Sequence, residues 1–357
     1  MKTLCIEAVL PESDCFMIEE NLLELKELGQ TAGYDIIDSL VISIPRFFSA
    51  TLMSQPLAEE IGLEIKEKEA EVVLLNVDLS SSQLKNLEKI WEVMIVDRTE
   101  LILKIFQNNA RTKEAKLQVE IAQLRYTLPR LKRMWGHLSR IEGGFGFTKG
   151  PGETQIEIDR RIIKDRISFL SSKVKKISQR REVRRKKRVE ADLPMVSLVG
   201  YTNAGKTALL NCLAKEQKES ENKLFATLSP VTRKVFLDFS KYMLLSDTVG
   251  FIKNLPSHLI ASFHSTLQEI EYSDLLILLQ DVTSNSIFEK VDTVHTVLDE
   301  INCLSKKTLL VFTKIDLIQD ESVLNRIKSN YPDALFISSL TKEGIDTLKT
   351  KILEMVF

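Results

Sequence analysis

Cysteine and histidine are scarce, with four of each in 357 residues. Cys5, Cys15, Cys212 and Cys303 are scattered, with no C-x-x-C pair and no histidine cluster beside them. That spacing argues against a disulfide scaffold or a zinc site and fits a reducing compartment. His137, His258, His264 and His295 show no ligand spacing either and read as surface or packing residues. Long apolar runs are also missing, none approaching the roughly 20 residues needed to span a bilayer. The opening "MKTLCIEAVLPESD" carries one lysine and a short apolar run interrupted by Glu7, without a clear cleavage site. These absences predict a cytoplasmic chain with no membrane partner, expected to be a monomer.

What is present fits a globular protein, 44% hydrophobic and 28% charged. The length is too great for one ordinary core. A formal net charge of −1 hides an asymmetry, because residues 161–190 hold 13 Lys/Arg against 3 Asp/Glu. A basic arm on an acidic body suggests a polyanionic partner, and a solvated lysine-rich helix is the plain alternative.

The pattern divides the chain into three segments: 1–97, 98–190 and 191–357. In the first, "TLCIEAVL", "YDIIDSLVIS", "AEVVLLNV" and "VMIVD" read as strands. "FMIEENLLELKELGQTAG" and "SSQLKNLEKIW" read as helices, giving a small α/β domain with a largely parallel sheet. In the second, residues 100–135 read as a helix with Pro129 the only interior breaker. A second helix over 154–188 carries Ile156, Ile158, Ile162, Ile163, Ile167, Leu170 and Val174 along one stripe. "GGFGFTKGPGE" (143–153) lies between them as the tip of an expected long antiparallel helical hairpin. In the third segment, strands "MVSLVG", "RKVFLDF", "YMLLSD", "LLILLQD", "TLLVFT" and "ALFIS" alternate with helical stretches after the second. That is the pattern of a doubly wound, mostly parallel α/β domain.

This last segment carries a nucleotide site. "GYTNAGKT" (200–207) follows an apolar strand, precedes a helix and matches G-x-x-x-x-G-K-[ST]. Gly200 and Gly205 let the loop curl so that its N–H groups face phosphates, Lys206 neutralises charge and Thr207 ligates Mg²⁺. Asp247 ends the strand of "LLSDTVGF", placed to hold Mg²⁺ through water, and the Gly250 N–H can meet a γ-phosphate. In "LLVFTKID", which contains Thr313, Lys314 and Asp316, a carboxylate can accept two hydrogen bonds from guanine that adenine cannot offer, and the Lys314 stem can lie over the base. "FISSLTKEG" puts Ser338 and Ser339 where a backbone N–H can donate to the guanine carbonyl. Four such motifs in this order predict a P-loop GTPase domain binding GTP and GDP. For the threonine that closes on Mg²⁺ with γ-phosphate present, Thr227 is favoured over Thr232 in "LFATLSPVTRKV".

The chain resembles the HflX family of ribosome-associated translational GTPases over nearly its full length. The resemblance rests on residues 24–33, 96–131, 150–161, 200–207, 224–233 and 247–251, of which 96–131 and 150–161 discriminate. It implies that GTP and Mg²⁺ are held by Gly200, Tyr201, Thr202, Asn203, Ala204, Gly205, Lys206, Thr207 and the adjoining Ala208. It extends the set to Thr227, Asp247 to Gly250, Thr313 to Asp316, and Ser338, Ser339 and Leu340. Lys206, Thr227 and Gly250 would serve hydrolysis itself. By the same resemblance the partner is the large ribosomal subunit and its rRNA, and the role lies in splitting or rescuing stalled ribosomes. Thr313 stands where the family usually has Asn, a mild change expected to weaken hold on the base. "TLMSQPLAEE" replaces a Gly/Lys-rich run of the amino-terminal domain.

Ras-like GTPases place a water-orienting glutamine after the Asp-x-x-Gly glycine. Phe251 stands there, so slow intrinsic hydrolysis is expected, and Arg233 is the nearest, unconvincing, candidate for an arginine finger. Asn203 resembles the asparagine that ligates K⁺ in cation-dependent GTPases, against a plain loop-capping role. The 143–152 tip would meet rRNA through Lys149, with Phe145 and Phe147 stacking on unpaired bases and the arm 173–188 adding salt-dependent affinity. The rival functions are a non-catalytic GTP/GDP switch recruiting a protein, and a general RNA-binding protein regulated by GTP.

Overall fold

The computed structural model describes residues 1–11, 14–131, 155–189, 193–215, 224–225, 228, 230–238, 240–253, 269–284, 286–318 and 321–357. The hairpin tip, with Phe145, Phe147 and Lys149, and Thr227 lie outside the described residues, as do the arm's side chains from Arg180 onward. Two compact units form: Met1–Asn108 with Lys116–Val174, and Asn109–Ala115 with Lys175–Phe357.

The first unit is built on a wholly parallel sheet in the order β2-β1-β3-β4, from β1 (Lys2–Val9), β2 (Asp35–Ser43), β3 (Val72–Leu75) and β4 (Met94–Asp97). The central strands β1 and β3 are buried nearly throughout, which is why they read as apolar runs rather than alternations. Helices α1 (Cys15–Thr31) and α3 (Ser81–Trp91) stand where the periodicity puts them. Ser80 and Gln83 close a full capping box on α3.

The sequence pattern assigns no element to 55–67, yet these residues form helix α2 (Gln55–Glu67). Its start is signalled by Ser54 and by Pro56 in the first turn. Gly62 lets α2 approach α3 closely, since a Cβ there would meet the Trp91 ring at 3.1 Å. The Trp91 indole N–H then donates to the Ala58 carbonyl at 2.8 Å.

The predicted single helix over 100–135 is broken earlier than Pro129. It is α4 (Arg98–Asn109) and α5 (Lys113–Thr127), with one 3₁₀ turn at Leu128–Arg130 around the proline. Thr112 starts α5 by accepting the Ala115 N–H on its hydroxyl at 3.1 Å, a capping signal hidden inside "ARTKEA". Helix α6 (Gln155–Val189) follows. Of its predicted apolar stripe Leu170 is buried, whereas Ile162 is 58% exposed. Arg166 of α6 donates to Glu120 of α5 at 2.6 Å.

The discriminating stretch 96–131 contributes contacts that hold this unit together. Arg98 pairs with Glu24 and with Asn76, tying "ELKELG" to "VDRTEL". Gly29 packs closely against β3, since a Cβ there would lie 2.7 Å from Leu74 Cδ1 and that side-chain end would have to shift. Asp97, fully buried, accepts the Glu100 N–H at 2.8 Å and an Arg130 N–H at 3.1 Å. Burial pushes its carboxyl above the ordinary range, against the pull of the Glu100 N–H and Arg130.

The second unit carries a six-stranded sheet in the order β10-β9-β8-β5-β7-β6. Its strands are β5 (Met195–Gly200), β6 (Val231–Phe236), β7 (Tyr242–Asp247), β8 (Leu275–Asp281), β9 (Thr308–Thr313) and β10 (Leu335–Phe336). Only β6 runs antiparallel among these, paired with β7 as a hairpin. Helices α7 (Lys206–Ala214), α8 (Ile287–Glu300), α9 (Glu321–Asn330) and α10 (Ile345–Val356) complete it. One face buries Val196, Leu198, Leu209, Leu245, Ile277 and Val311. The other buries Val199, Leu276, Leu278, Val294 and Leu298. Parallel strands covered on both faces leave their carboxyl edge as the place for a ligand.

Candidate nucleotide site

β5 ends at Gly200, and the loop 201–205 turns back into α7. Gly200 has φ +156, and any Cβ there would strike the Leu279 carbonyl of the neighbouring strand. Asn203 at φ +62 and Gly205 at φ +83 complete the left-handed turn that aims N–H groups inward. Asparagine tolerates that backbone better than most residues, which suits Asn203 to this turn. Lys206 opens α7 with its amine folded into the loop, donating to the Gly200 carbonyl at 3.1 Å and the Tyr201 carbonyl at 2.7 Å. Burial pulls this amine down to about 8, partly opposed by the Asp247 charge.

Thr207 follows, and its hydroxyl donates to Asp247 Oδ2 at 2.8 Å. A hydroxyl and a carboxylate, two hard oxygen donors side by side beneath a phosphate loop, fit Mg²⁺. Among the described residues no cluster of three or more His, Cys, Asp or Glu could hold a metal. Gly250 sits directly over the lysine, where a Cβ would be 2.9 Å from Lys206 Nζ and 2.9 Å from Thr202 Cα.

Phe251 turns away from all of this. Its ring is 2% exposed and packs with Val199, Ile270, Leu276 and Leu278. Its backbone is zipped to the phosphate loop: the Phe251 N–H donates to the Gly200 carbonyl at 3.1 Å and the Thr202 N–H to the Phe251 carbonyl at 2.7 Å. Next along, the Lys253 N–H donates to the Tyr201 hydroxyl at 2.6 Å. Nothing in the sequence marks these loop-to-loop bonds, because their partners stand about 50 residues apart. Arg233 lies in β6, its guanidinium donating to the Thr232 carbonyl at 3.3 Å.

The base end is assembled from three strand ends. Thr313, buried at the end of β9, donates its hydroxyl to the Ala204 carbonyl of the phosphate loop at 3.0 Å. The residue expected to weaken the hold on a base is thus engaged on the phosphate loop. Lys314, at φ +62, reaches Asp281 Oδ2 at 2.7 Å, a carboxylate that the sequence motifs do not single out. Asp316 is exposed on the 3₁₀ turn Ile315–Leu317. Ser338 is fully buried and accepts the Leu340 and Thr341 N–H groups on its hydroxyl at 3.2 and 3.1 Å, shaping the loop that carries Ser339 and Leu340. Thr202 and Ala204 complete the loop, and Ala208 lies in the first turn of α7.

A phosphate-binding loop at the carboxyl edge of a doubly wound sheet, with a TKID strand end beside it, defines a P-loop GTPase. Residues 195–314 match the family described as 50S ribosome-binding GTPase, 19–107 the GTP-binding GTPase N-terminal family, and 109–188 the GTP-binding GTPase Middle Region. The GTPase HflX of Caldanaerobacter subterraneus is 42% identical over 339 residues, 95% of this chain and 78% of that protein. The GTPase HflX of Escherichia coli is 41% identical, covering 92% of this chain and 77% of that protein. A crystal structure of the SsGBP and GDP complex superposes with a TM-score of 0.51 at 25% identity, covering 100% and 98% of the two chains. The chain belongs to the HflX family of GTPases and is a GTP-binding, GTP-hydrolysing enzyme. No described helix is long and apolar enough to cross a membrane.

Proposed function

We propose that this GTPase acts on the large ribosomal subunit, in the splitting or rescue of ribosomes, and hydrolyses GTP slowly until that partner is bound. The observation carrying this reading is the burial of Phe251 in the core at the position where a water-orienting side chain would stand. The description of the 195–314 match as a 50S ribosome-binding GTPase supports that partner. The excess of Lys/Arg in 161–190 supplies the electrostatics that a phosphate backbone selects. In the proposed division of labour the basic arm and the 143–152 tip of segment 98–190 meet rRNA, segment 191–357 binds the nucleotide, and segment 1–97 reaches with the helices towards the subunit.

At the nucleotide site the loop N–H groups of 201–207 receive phosphate oxygens, and the Lys206 amine exchanges its carbonyl partners for β/γ-oxygens. Thr207 and Asp247 would hold Mg²⁺, which would supply charge neutralisation on the phosphates. The Gly250 N–H faces the γ-phosphate, and Thr227 closes when that phosphate is present. Asn203 adds an oxygen for K⁺ in place of an arginine finger. Asp316 reads guanine, with the Lys314 stem along the base and the Ser338–Leu340 loop at its carbonyl.

Co-sedimentation with purified large subunits tests the reading. Retention with a non-hydrolysable GTP analogue and loss with GDP is expected, along with faster turnover when subunits are added. Equal retention in both states, or none, would remove the ribosome from the account while leaving the nucleotide site intact.

A further inference from the structure

Lys314 leaves the end of β9 in an unusual way. Its backbone sits at φ +62, a conformation that glycine or asparagine adopts more readily than a long side chain. Thr313 fixes the strand end just before it. The Thr313 hydroxyl donates to the Ala204 carbonyl at 3.0 Å, and the Thr313 carbonyl accepts the Val282 N–H at 3.1 Å. The neighbouring strand β8 ends level with it, Asp281 standing opposite Thr313 in the parallel register.

Asp281 is oriented by its own loop. Its Oδ1 accepts the Thr283 N–H at 2.9 Å and the Thr283 hydroxyl at 2.7 Å. That leaves Oδ2 turned to the Lys314 amine, 2.7 Å away. The two side chains are only 19% and 27% exposed, so water screens the pair less than an ordinary surface ion pair. Both partners belong to the protein, and the bond needs no nucleotide to form. A lysine side chain is costly to order, and here that cost is met on folding.

We infer that Asp281 is a positioning residue for guanine nucleotides, holding the Lys314 ammonium so that the lysine stem is already laid out for a base to stack on. The inference rests on the reading in which the Lys314 stem lies along the base. Its effect falls on affinity and not on the chemical step, because the pair stands at the base end, while Lys206, Thr207 and Asp247 serve the phosphates.

The test uses the full chain without ribosomes. Asp281→Asn keeps the shape and removes the charge. It should lower affinity for GDP and for a non-hydrolysable GTP analogue alike, by about fivefold, the equivalent of ordering one long side chain on binding. KM for GTP should rise to match, with kcat within about twofold. Inosine diphosphate, which lacks the exocyclic amine, should lose as much affinity as GDP, because stacking does not use that amine. On a Lys314→Ala background the Asp281 substitution should have no further effect. Should Asp281→Asn shift the melting midpoint, Lys314→Met, which keeps the stem and loses the ammonium, takes its place and should show the same loss. No loss in a variant with native melting, a loss that persists on the Lys314→Ala background, or a fall in kcat at unchanged KM would overturn the inference. So would a larger loss for GDP than for inosine diphosphate, which would route the effect through the Asp316 hydrogen bonds. If Lys314→Ala itself leaves GDP affinity unchanged, the placing of the stem on the base fails separately, whatever Asp281 does.

Discussion

The Thr202 N–H donates to the Phe251 carbonyl at 2.7 Å, binding the phosphate loop to the residue that follows the Asp-x-x-Gly glycine. The bond fixes which way residue 251 faces, and its side chain points into the core. Phe251→Gln should therefore not raise intrinsic hydrolysis, although it restores the Ras-like residue. It should lower stability by about 3 kcal/mol, from lost packing and a buried amide. Single-turnover hydrolysis with a thermal melt checks both; a faster variant would show that the side chain can reach the nucleotide.

Nucleotide affinity should depend on pH through Lys206. Its amine is held at about 8 by burial, while phosphate oxygens favour the charged form. Below about 8 the amine is already charged, and GDP affinity should be flat. Above it, binding must take up a proton, so affinity should fall, by at most about tenfold per pH unit. Calorimetry at pH 9 in buffers of different ionisation enthalpy should show proton uptake on binding. Equal apparent enthalpies would contradict it.

Gly250→Ala places a methyl 2.9 Å from Lys206 Nζ and from the backbone of Thr202. Backbone cannot yield as a flexible side chain does, so the loop or the glycine must move. kcat/KM for GTP should drop on the order of a hundredfold, as when one preorganised donor is lost. Steady-state kinetics beside a GDP titration would show whether the γ-phosphate side alone suffers.

Arg130→Ala removes the cation that faces buried Asp97. It also strips a 2.6 Å bond from the Leu79 carbonyl. A loss of about 3 kcal/mol is expected, because the buried carboxylate stays behind without its cation. Asp97 has its carboxyl pushed up by burial, so the damage should lessen as pH falls and that group takes a proton. Urea unfolding of the variant at pH 7 and pH 5 measures this, and adding Asp97→Asn should return part of the stability.

Strand and helix placement was largely legible because the local signals are strong. The strands β1, β3, β5 and β8 are buried apolar runs, and α3 carries its capping box in the letters S-x-x-Q. The misreadings also have local causes. Helix α2 hides behind a polar Ser-Gln-Pro start, and the α4–α5 break depends on the single hydroxyl of Thr112. The nucleotide motifs were legible because each needs a fixed residue type at a fixed offset along the chain: Gly200 and Gly205 for the turn, Lys206 and Thr207 for the helix start.

The sequence by itself determined most of the elements, the family and the chemical inventory of the nucleotide loop, since propensity, periodicity and short-range spacing are properties of neighbouring residues. Only the tertiary structure decided that Thr313 braces Ala204, that Lys314 meets Asp281, that Phe251 faces inward and that Asn109 reaches Phe225. Those partners stand far apart along the chain, and hydrogen bonding and burial depend on distances that exist only once the sheet has brought its strand ends together.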